Sequence, residues 1–158
     1  MTRIEQIIWC AGFFDGEGCV SISKPVTRNK AGTSFTAHQL VVIVAQRDRR
    51  PLDVFVSLFG GNVRAQKANN GSTYWYYRLH SHKAVALLQT LLPFLVCKVK
   101  AAECALTFQD YMNATVPRKP YGRTTEQKET LTGFYEAMRS FNVRNKLMDY
   151  TAESNAVQ

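Results

Sequence analysis

No stretch of this chain comes near the roughly 20 consecutive apolar residues that a helix needs to cross a bilayer, so no membrane partner is expected. Cysteine is sparse: Cys10, Cys19, Cys97 and Cys104 are the only four, and no CxxC pair occurs among them. That spacing argues against a disulfide framework or a zinc site and for small buried thiols in a reducing compartment. The opening MTRIEQ has neither the basic region nor the apolar core of a secretory signal, and a soluble intracellular protein is expected. Acidic residues are also short, 12 Asp and Glu against 20 Lys and Arg, which leaves a formal net charge of +8. An excess of that sign favours a polyanion partner, through neutralised phosphates and released counterions. There is no internal repeat, so any motif present occurs once.

What is present suffices for a core. A chain of 158 residues with 46% hydrophobic and 11% aromatic residues fits one compact domain that buries about two-thirds of its unfolded surface. One domain over residues 1–150 and a polar, flexible tail over 151–158 are expected. Apolar residues at Ile4, Ile7, Ile8 and Ala11 predict a helix over Ile4–Phe14, running into the glycine-broken Asp15-Gly16-Glu17-Gly18. From Cys19 to Ser23 the period changes to two, as in a half-buried strand. Polar residues from Lys24 to Ser34 read as a connection, followed by a strand from about Phe35 to Ala45. Pro51 opens a helix carrying Leu52, Phe55, Val56 and Phe59, and Gly60-Gly61 closes it. A hairpin, Asn62–Lys67 and Thr73–His80, turns at Asn69-Asn70-Gly71. Helices follow with Val85, Leu88 and Leu92, then Ala101, Cys104, Ala105 and Phe108. Thr124 and Gln127 stand at capping-box spacing ahead of a last helix with Leu131, Phe134, Tyr135 and Met138 on one face. The expected fold is α+β: a curved four-stranded antiparallel sheet in αββαββα order, with helices packed on one face.

The informative segment is Cys10-Ala11-Gly12-Phe13-Phe14-Asp15-Gly16-Glu17-Gly18. Ala11 and Gly12 expose backbone along one side of a helix and permit close helix contact. Asp15 and Glu17 stand at that helix's C-terminal end, where the macrodipole disfavours negative charge by about 0.3–1 kcal/mol each. Gly16 and Gly18 can adopt backbone angles closed to other residues. An acidic tetrapeptide alone is also what an ordinary turn looks like. Carboxylates placed against the local field, flanked by glycine, suit a metal site, because a divalent cation reverses the penalty.

Taken together, the nine residues resemble the LAGLIDADG motif of single-motif homing endonucleases, in which a helix ends in an acidic-small-acidic-glycine sequence that feeds a strand. The resemblance covers roughly Ile4 to Phe108 and includes the order of elements. It implies a site-specific endonuclease that makes a staggered double-strand break in a long, pseudo-palindromic DNA target by divalent-metal-dependent hydrolysis. By the same resemblance Glu17 matches the essential metal-binding acid, one methylene longer than the more common Asp. Gly16 would offer its carbonyl to the metal, and Asp15 would position the helix end. Gln46 and Arg50 match polar active-site residues, and Lys98 matches a basic residue delivered by the segment Leu92 to Lys100. Trp9 and Cys10 depart from the family's usual aliphatic residues.

One motif supplies one acid, so cutting two strands implies a homodimer, with Ile8, Ala11, Gly12 and Asp15 at the seam. The expected metal is Mg2+, which takes few carboxylates plus phosphate and water; Mn2+ or Ca2+ could replace it for binding, and no small-molecule cofactor is expected. A two-stranded ribbon fits the major groove of double-stranded DNA. The residues expected to meet DNA are Ser21, Ser23, Arg28, Asn29, Lys30, Thr33, Ser34, Gln39, Arg64, Gln66, Tyr74, Tyr76, Arg78 and Lys100, with Arg118, Lys119 and Arg123 touching phosphates from a basic loop. The alternative is an RNA-binding intron maturase on the same fold.

Overall fold

In the computed structural model, which describes residues 1–28, 32, 34–115 and 122–142, the chain folds as helices on one face of an antiparallel sheet. Helix α1 spans Arg3–Glu17 and is opened by a capping box: the Thr2 hydroxyl accepts from the Glu5 amide and the Glu5 carboxylate accepts from the Thr2 amide. Strand β1 (Gly18–Ser23) follows without a loop. Next come a short ribbon of β2 (Val26–Arg28) and β3 (Ser34–Thr36), strand β4 (Gln39–Gln46), helix α2 (Arg50–Phe59) and the hairpin β5 (Val63–Lys67) and β6 (Thr73–His80). Helix α3 (Ser81–Leu91), a 3-10 turn over Leu92–Phe94, α4 (Val99–Ala114) and α5 (Thr125–Phe141) complete the described chain.

The main sheet has the order β1-β4-β6-β5, antiparallel throughout, and β2 pairs with β3 as a separate two-stranded ribbon. The sequence reading made one connection of Lys24–Ser34 and one strand of 35–45. The chain instead forms the ribbon first and begins β4 at Gln39, after Ala37 and His38. Along the sheet the alternation sorts side chains cleanly. Val20 and Ile22 of β1, Leu40, Val42 and Val44 of β4, and Tyr77 and Leu79 of β6 point into one core with Phe14, Leu52, Phe55, Leu87, Leu88, Ala105 and Phe108 from the helices. Burial of such side chains contributes about 1.5–3 kcal/mol each before chain entropy is counted. Helix α5 packs beside the edge strand β1, where the Asn142 amide donates to the Val20 carbonyl at 2.8 Å; this covers part of an edge that would otherwise be open to pairing. At the other end of the sheet the Tyr77 hydroxyl donates to the Gly60 carbonyl (2.8 Å). The expected turn and caps form: Gly71 has φ 81°, and Thr124 and Gln127 exchange bonds of 3.2 and 3.0 Å.

Candidate functional site

Helix α1 runs further than its apolar spacing predicts. Asp15, Gly16 and Glu17 form its last turn, and no basic residue in that turn offsets the two acids. Asp15 finds its compensation elsewhere. One carboxylate oxygen accepts the Val96 amide at 2.6 Å, and the other accepts the Lys98 amide at 3.0 Å. The Lys98 ammonium in turn donates to the Asp15 carbonyl. Helix α4 has no side-chain cap of its own, and Asp15 takes the amide of its N-cap residue Lys98 together with that of Val96 just ahead of the helix. Glu17 differs from its neighbour. It is exposed and makes no hydrogen bond or ion pair among the described residues.

The glycines act through space rather than backbone angle. Gly18 sits at φ −76°, ψ 156°, an ordinary extended conformation, but a Cβ there would meet the Phe14 ring and stand 2.6 Å from the Phe14 carbonyl oxygen. At Gly16 and at Gly12 a Cβ would meet nothing within 4 Å. Ile4 and Ile8, about half exposed at 51% and 49%, continue that open side of α1 at four-residue intervals, and Phe94 and Val96 are exposed hydrophobic side chains as well. Ala11 does not belong to it: it turns toward the protein's own core and is fully buried there. The seam expected from sequence thus keeps Ile8 and Gly12 on an open surface, loses Ala11, and finds Asp15 engaged with Val96 and Lys98.

Pairing of Gly18 with Val44 sets the end of α1 beside the end of β4, whose last residue is Gln46. The Gln46 side-chain oxygen accepts the Arg47 amide at 3.2 Å. Arg50 opens α2 and is turned to Asp48: its amide donates to Asp48 at 2.9 Å and its guanidinium makes two further bonds at 2.9 and 3.1 Å, together with a third. Those bonds hold the Asp48 carboxyl below the usual carboxylate range. Glu17 and Lys98 are therefore gathered at the end of α1, Gln46 lies at the same end of the sheet by register, and Arg50 is engaged locally.

The face of the sheet away from the core is polar. Ser21 stands opposite Val41, and Val41 opposite His80; Ser23 stands opposite Gln39; Arg64 is opposite Tyr76 and Gln66 opposite Tyr74; Arg78 lies two residues from Tyr76. All of these share one face by the alternation of the strands. Arg78 lies over the Tyr76 ring, 5.2 Å from its centroid. Asn62, Arg64, Tyr76, Arg78 and His80 line a hollow of about 220 Å³. Asn62 and His80 were missed in the sequence, although His80 follows Arg78 at the strand period. Burial and the Arg78 charge lower the His80 pKa. Arg28 and Ser34 pair at the end of the β2–β3 ribbon, and Lys100 is exposed in the first turn of α4. Arg123 is employed within the fold: it donates to the Thr115 carbonyl at 2.8 Å and hydroxyl at 3.0 Å, closing the end of α4. Asn29, Lys30, Thr33, Arg118, Lys119 and the tail 151–158 lie outside the described residues.

A family model described as LAGLIDADG endonuclease matches residues 10–103, more than half of the chain. The chain belongs to the LAGLIDADG endonuclease family. No curated protein matches it. Among solved structures this LAGLIDADG chain is similar to the homing endonuclease I-CvuI in complex with its target in the presence of Ca, at 18% identity and a TM-score of 0.65, over 90% of this chain and 85% of that one. It is also similar to the group I intron-encoded homing endonuclease I-CeuI complexed with DNA, at 16% identity and a TM-score of 0.64, over 88% of this chain and 68% of that one. A third, the LAGLIDADG homing endonuclease I-LtrWI bound to target DNA, matches at 21% identity and a TM-score of 0.56 over 86% of this chain but 44% of its own length. At these identities the structural likeness establishes the fold, an α+β LAGLIDADG fold with a four-stranded antiparallel sheet. Among the described residues no helix is long and apolar enough to cross a membrane.

Proposed function

We propose that the protein is a site-specific DNA endonuclease that works as a homodimer, with Glu17 of each chain at the cutting centre. The observation that carries this reading is the carboxylate of Glu17 at the tip of α1, which has no partner among the described residues and is held where the polar face of the sheet begins. An acid that stabilises no part of its own fold is available to an external ligand.

The donor set fits a shared cation better than a private one. Among the described residues no group of three or more His, Cys, Asp or Glu gathers around a point. One carboxylate and one backbone carbonyl per chain, from Glu17 and Gly16, form the sparse protein share that magnesium accepts when phosphate and water complete its shell. A bound divalent ion would supply Lewis-acid stabilisation of the phosphodiester under attack. Lys98, fixed to the last turn of α1, brings a cation to the same end of the helix, and Gln46 offers an amide to orient solvent.

The open side of α1 supports pairing. Ile4, Ile8, Gly12 and Gly16 recur every four residues on it, and the two glycines leave room for a second backbone. Two such helices about a two-fold axis would set two Glu17 side chains side by side, one for each strand. The chain matches 85% of I-CvuI but only 44% of I-LtrWI, which fits a chain that acts in pairs. The polar sheet face, with Arg64, Gln66, Tyr74, Tyr76 and Arg78 on adjacent strands, suits base edges in a major groove, which favours duplex DNA over the maturase reading. Related structures solved with Ca and with Mg support a divalent ion without choosing one.

The test is selection of cleaved sites from a random duplex library with the purified protein and magnesium. Wild type should yield one pseudo-palindromic target. Glu17→Gln should cut none of it while binding it as before, since an amide keeps the shape but supplies no negative ligand. Cleavage by Glu17→Gln at the wild-type rate would remove Glu17 from the chemistry.

A further inference from the structure

Three arginines and two aspartates stand between positions 47 and 53, and the two aspartates are both claimed. Asp48 holds Arg50 through its backbone amide and guanidinium. Asp53 holds Arg49 at 3.1 Å, and the Arg49 guanidinium also lies 5.4 Å from the Trp75 ring centroid. Arg47 is the remainder. It is exposed, and its guanidinium makes no hydrogen bond, ion pair or ring contact among the described residues. The uncompensated positive charge of this segment therefore resides at one position.

That position is specific. Residues Gln39, Val41, Ile43 and Ala45 of β4 face the polar side of the sheet, and Arg47 is the next residue at that alternation, just past the last rung, where Gln46 pairs with Trp75. Its amide is tied to the Gln46 side-chain oxygen, which fixes the start of the turn that carries it. Gly18 pairs with Val44, so the same end of β4 lies beside the end of α1 and Glu17. Arginine is a strong phosphate ligand because its planar fork matches two oxygens. It works best when no local carboxylate competes for it.

We infer that Arg47 is a further phosphate-binding residue, which grips the DNA backbone next to the bond to be cut. The inference rests on the DNA-cleaving reading given above. It adds to that reading the cation that anchors the strand beside Glu17.

Salt dependence distinguishes this contact from general charge. Binding of a fluorescein-labelled random-sequence duplex is followed by anisotropy across a salt series for wild type, Arg47→Ala, Arg47→Lys and Arg3→Ala. Arg3 lies on the helix side beside Ile7, Leu58 and Lys83 and removes an equal charge. Each phosphate contact contributes about 0.9 to the slope of log K against log salt, so Arg47→Ala should flatten it by about that amount per chain. Arg47→Lys should restore it, and Arg3→Ala should leave it unchanged. Thermal melts of the variants should match wild type, because the Arg47 guanidinium holds nothing among the described residues and its amide bond to Gln46 survives the substitutions. Equal flattening by Arg47→Ala and Arg3→Ala, or no flattening by Arg47→Ala, overturns the inference while the DNA-cleaving reading stands. A wild-type protein that binds no duplex removes both.

Discussion

Asp15 and Lys98 are joined twice: the Asp15 carboxylate accepts the Lys98 amide at 3.0 Å, and the Lys98 ammonium donates back to the Asp15 carbonyl. With the Val96 amide at 2.6 Å, this fastens the start of α4 to the end of α1. One acidic residue of the motif thus holds the scaffold and leaves the other, Glu17, exposed. Hydrogen bonds to a charged group contribute about 1.5–3 kcal/mol each, and of the two that Asp15 accepts the one from Lys98 is part-buried and the one from Val96 exposed. Asp15→Ala should lower unfolding free energy in urea by about 2 kcal/mol or more by that measure, with Asp15→Asn intermediate because its amide keeps one acceptor. A variant as stable as wild type would mean that α4 is capped by water instead.

The glycines of the motif give opposite expectations. At Gly18 an added methyl would stand 2.6 Å from the Phe14 carbonyl and meet its ring, and neither can retreat from a fully buried position. Gly18→Ala should cost about 1–3 kcal/mol, the usual penalty for overpacking. Gly16→Ala meets open space inside a helix, where alanine is favoured by about 1 kcal/mol, and should leave the isolated chain as stable or slightly more so. Thermal unfolding of the two variants checks the pair; equal destabilisation would show that the contact with Phe14 is not what excludes a side chain at Gly18.

Much of this was legible beforehand because it is local. The β5–β6 hairpin announces itself through Asn69-Asn70-Gly71 and alternating flanks, and the last helix through Thr124 and Gln127. The acids of the motif stand out because they oppose a helix field. What could not be read is what depends on distant partners. Asp15 meets residues more than 80 positions away, so its capping role leaves no periodic trace. Arg123 looks like any loop cation until Thr115 is found beside it. Arg50 matched the motif's context, yet Asp48 two residues earlier takes its guanidinium. Ala11 is small for packing within its own chain, a reason that spacing alone does not separate from a seam. The β2–β3 ribbon escaped because three-residue strands are shorter than the window over which alternation is recognisable.

His38 gives the fold a pH dependence. Its Nε2 is buried without a hydrogen-bond partner among the described residues, and burial first, then the charges of Lys24 and Arg123, lower its pKa from the ordinary value of 6.5. The unfolded chain therefore takes up a proton before the folded one does. Stability is full above pH 6.5 and falls as pH drops below it toward the folded-state pKa. Urea midpoints measured from pH 8 to pH 5 should decline for wild type, and His38→Gln should reduce that decline. An unchanged decline in the variant would assign it to other groups.

The open side of α1 leads to the last expectation. Ile8 is 49% exposed and Ile4 51%, so neither contributes much to the stability of a single chain. A charge at Ile8 should then be tolerated by the fold and opposed only by whatever covers that side. If a second copy covers it, Ile8→Glu brings two carboxylates together at the two-fold axis and leaves them desolvated, a loss several times the worth of an exposed ion pair. Ile8→Glu should sediment as a monomer at concentrations where wild type is a dimer, with an unchanged melting curve when both are measured dilute. It should also lose double-strand cleavage. A dimeric Ile8→Glu protein would place the contact between chains elsewhere, and a monomeric wild type that cuts both strands would remove the need for one.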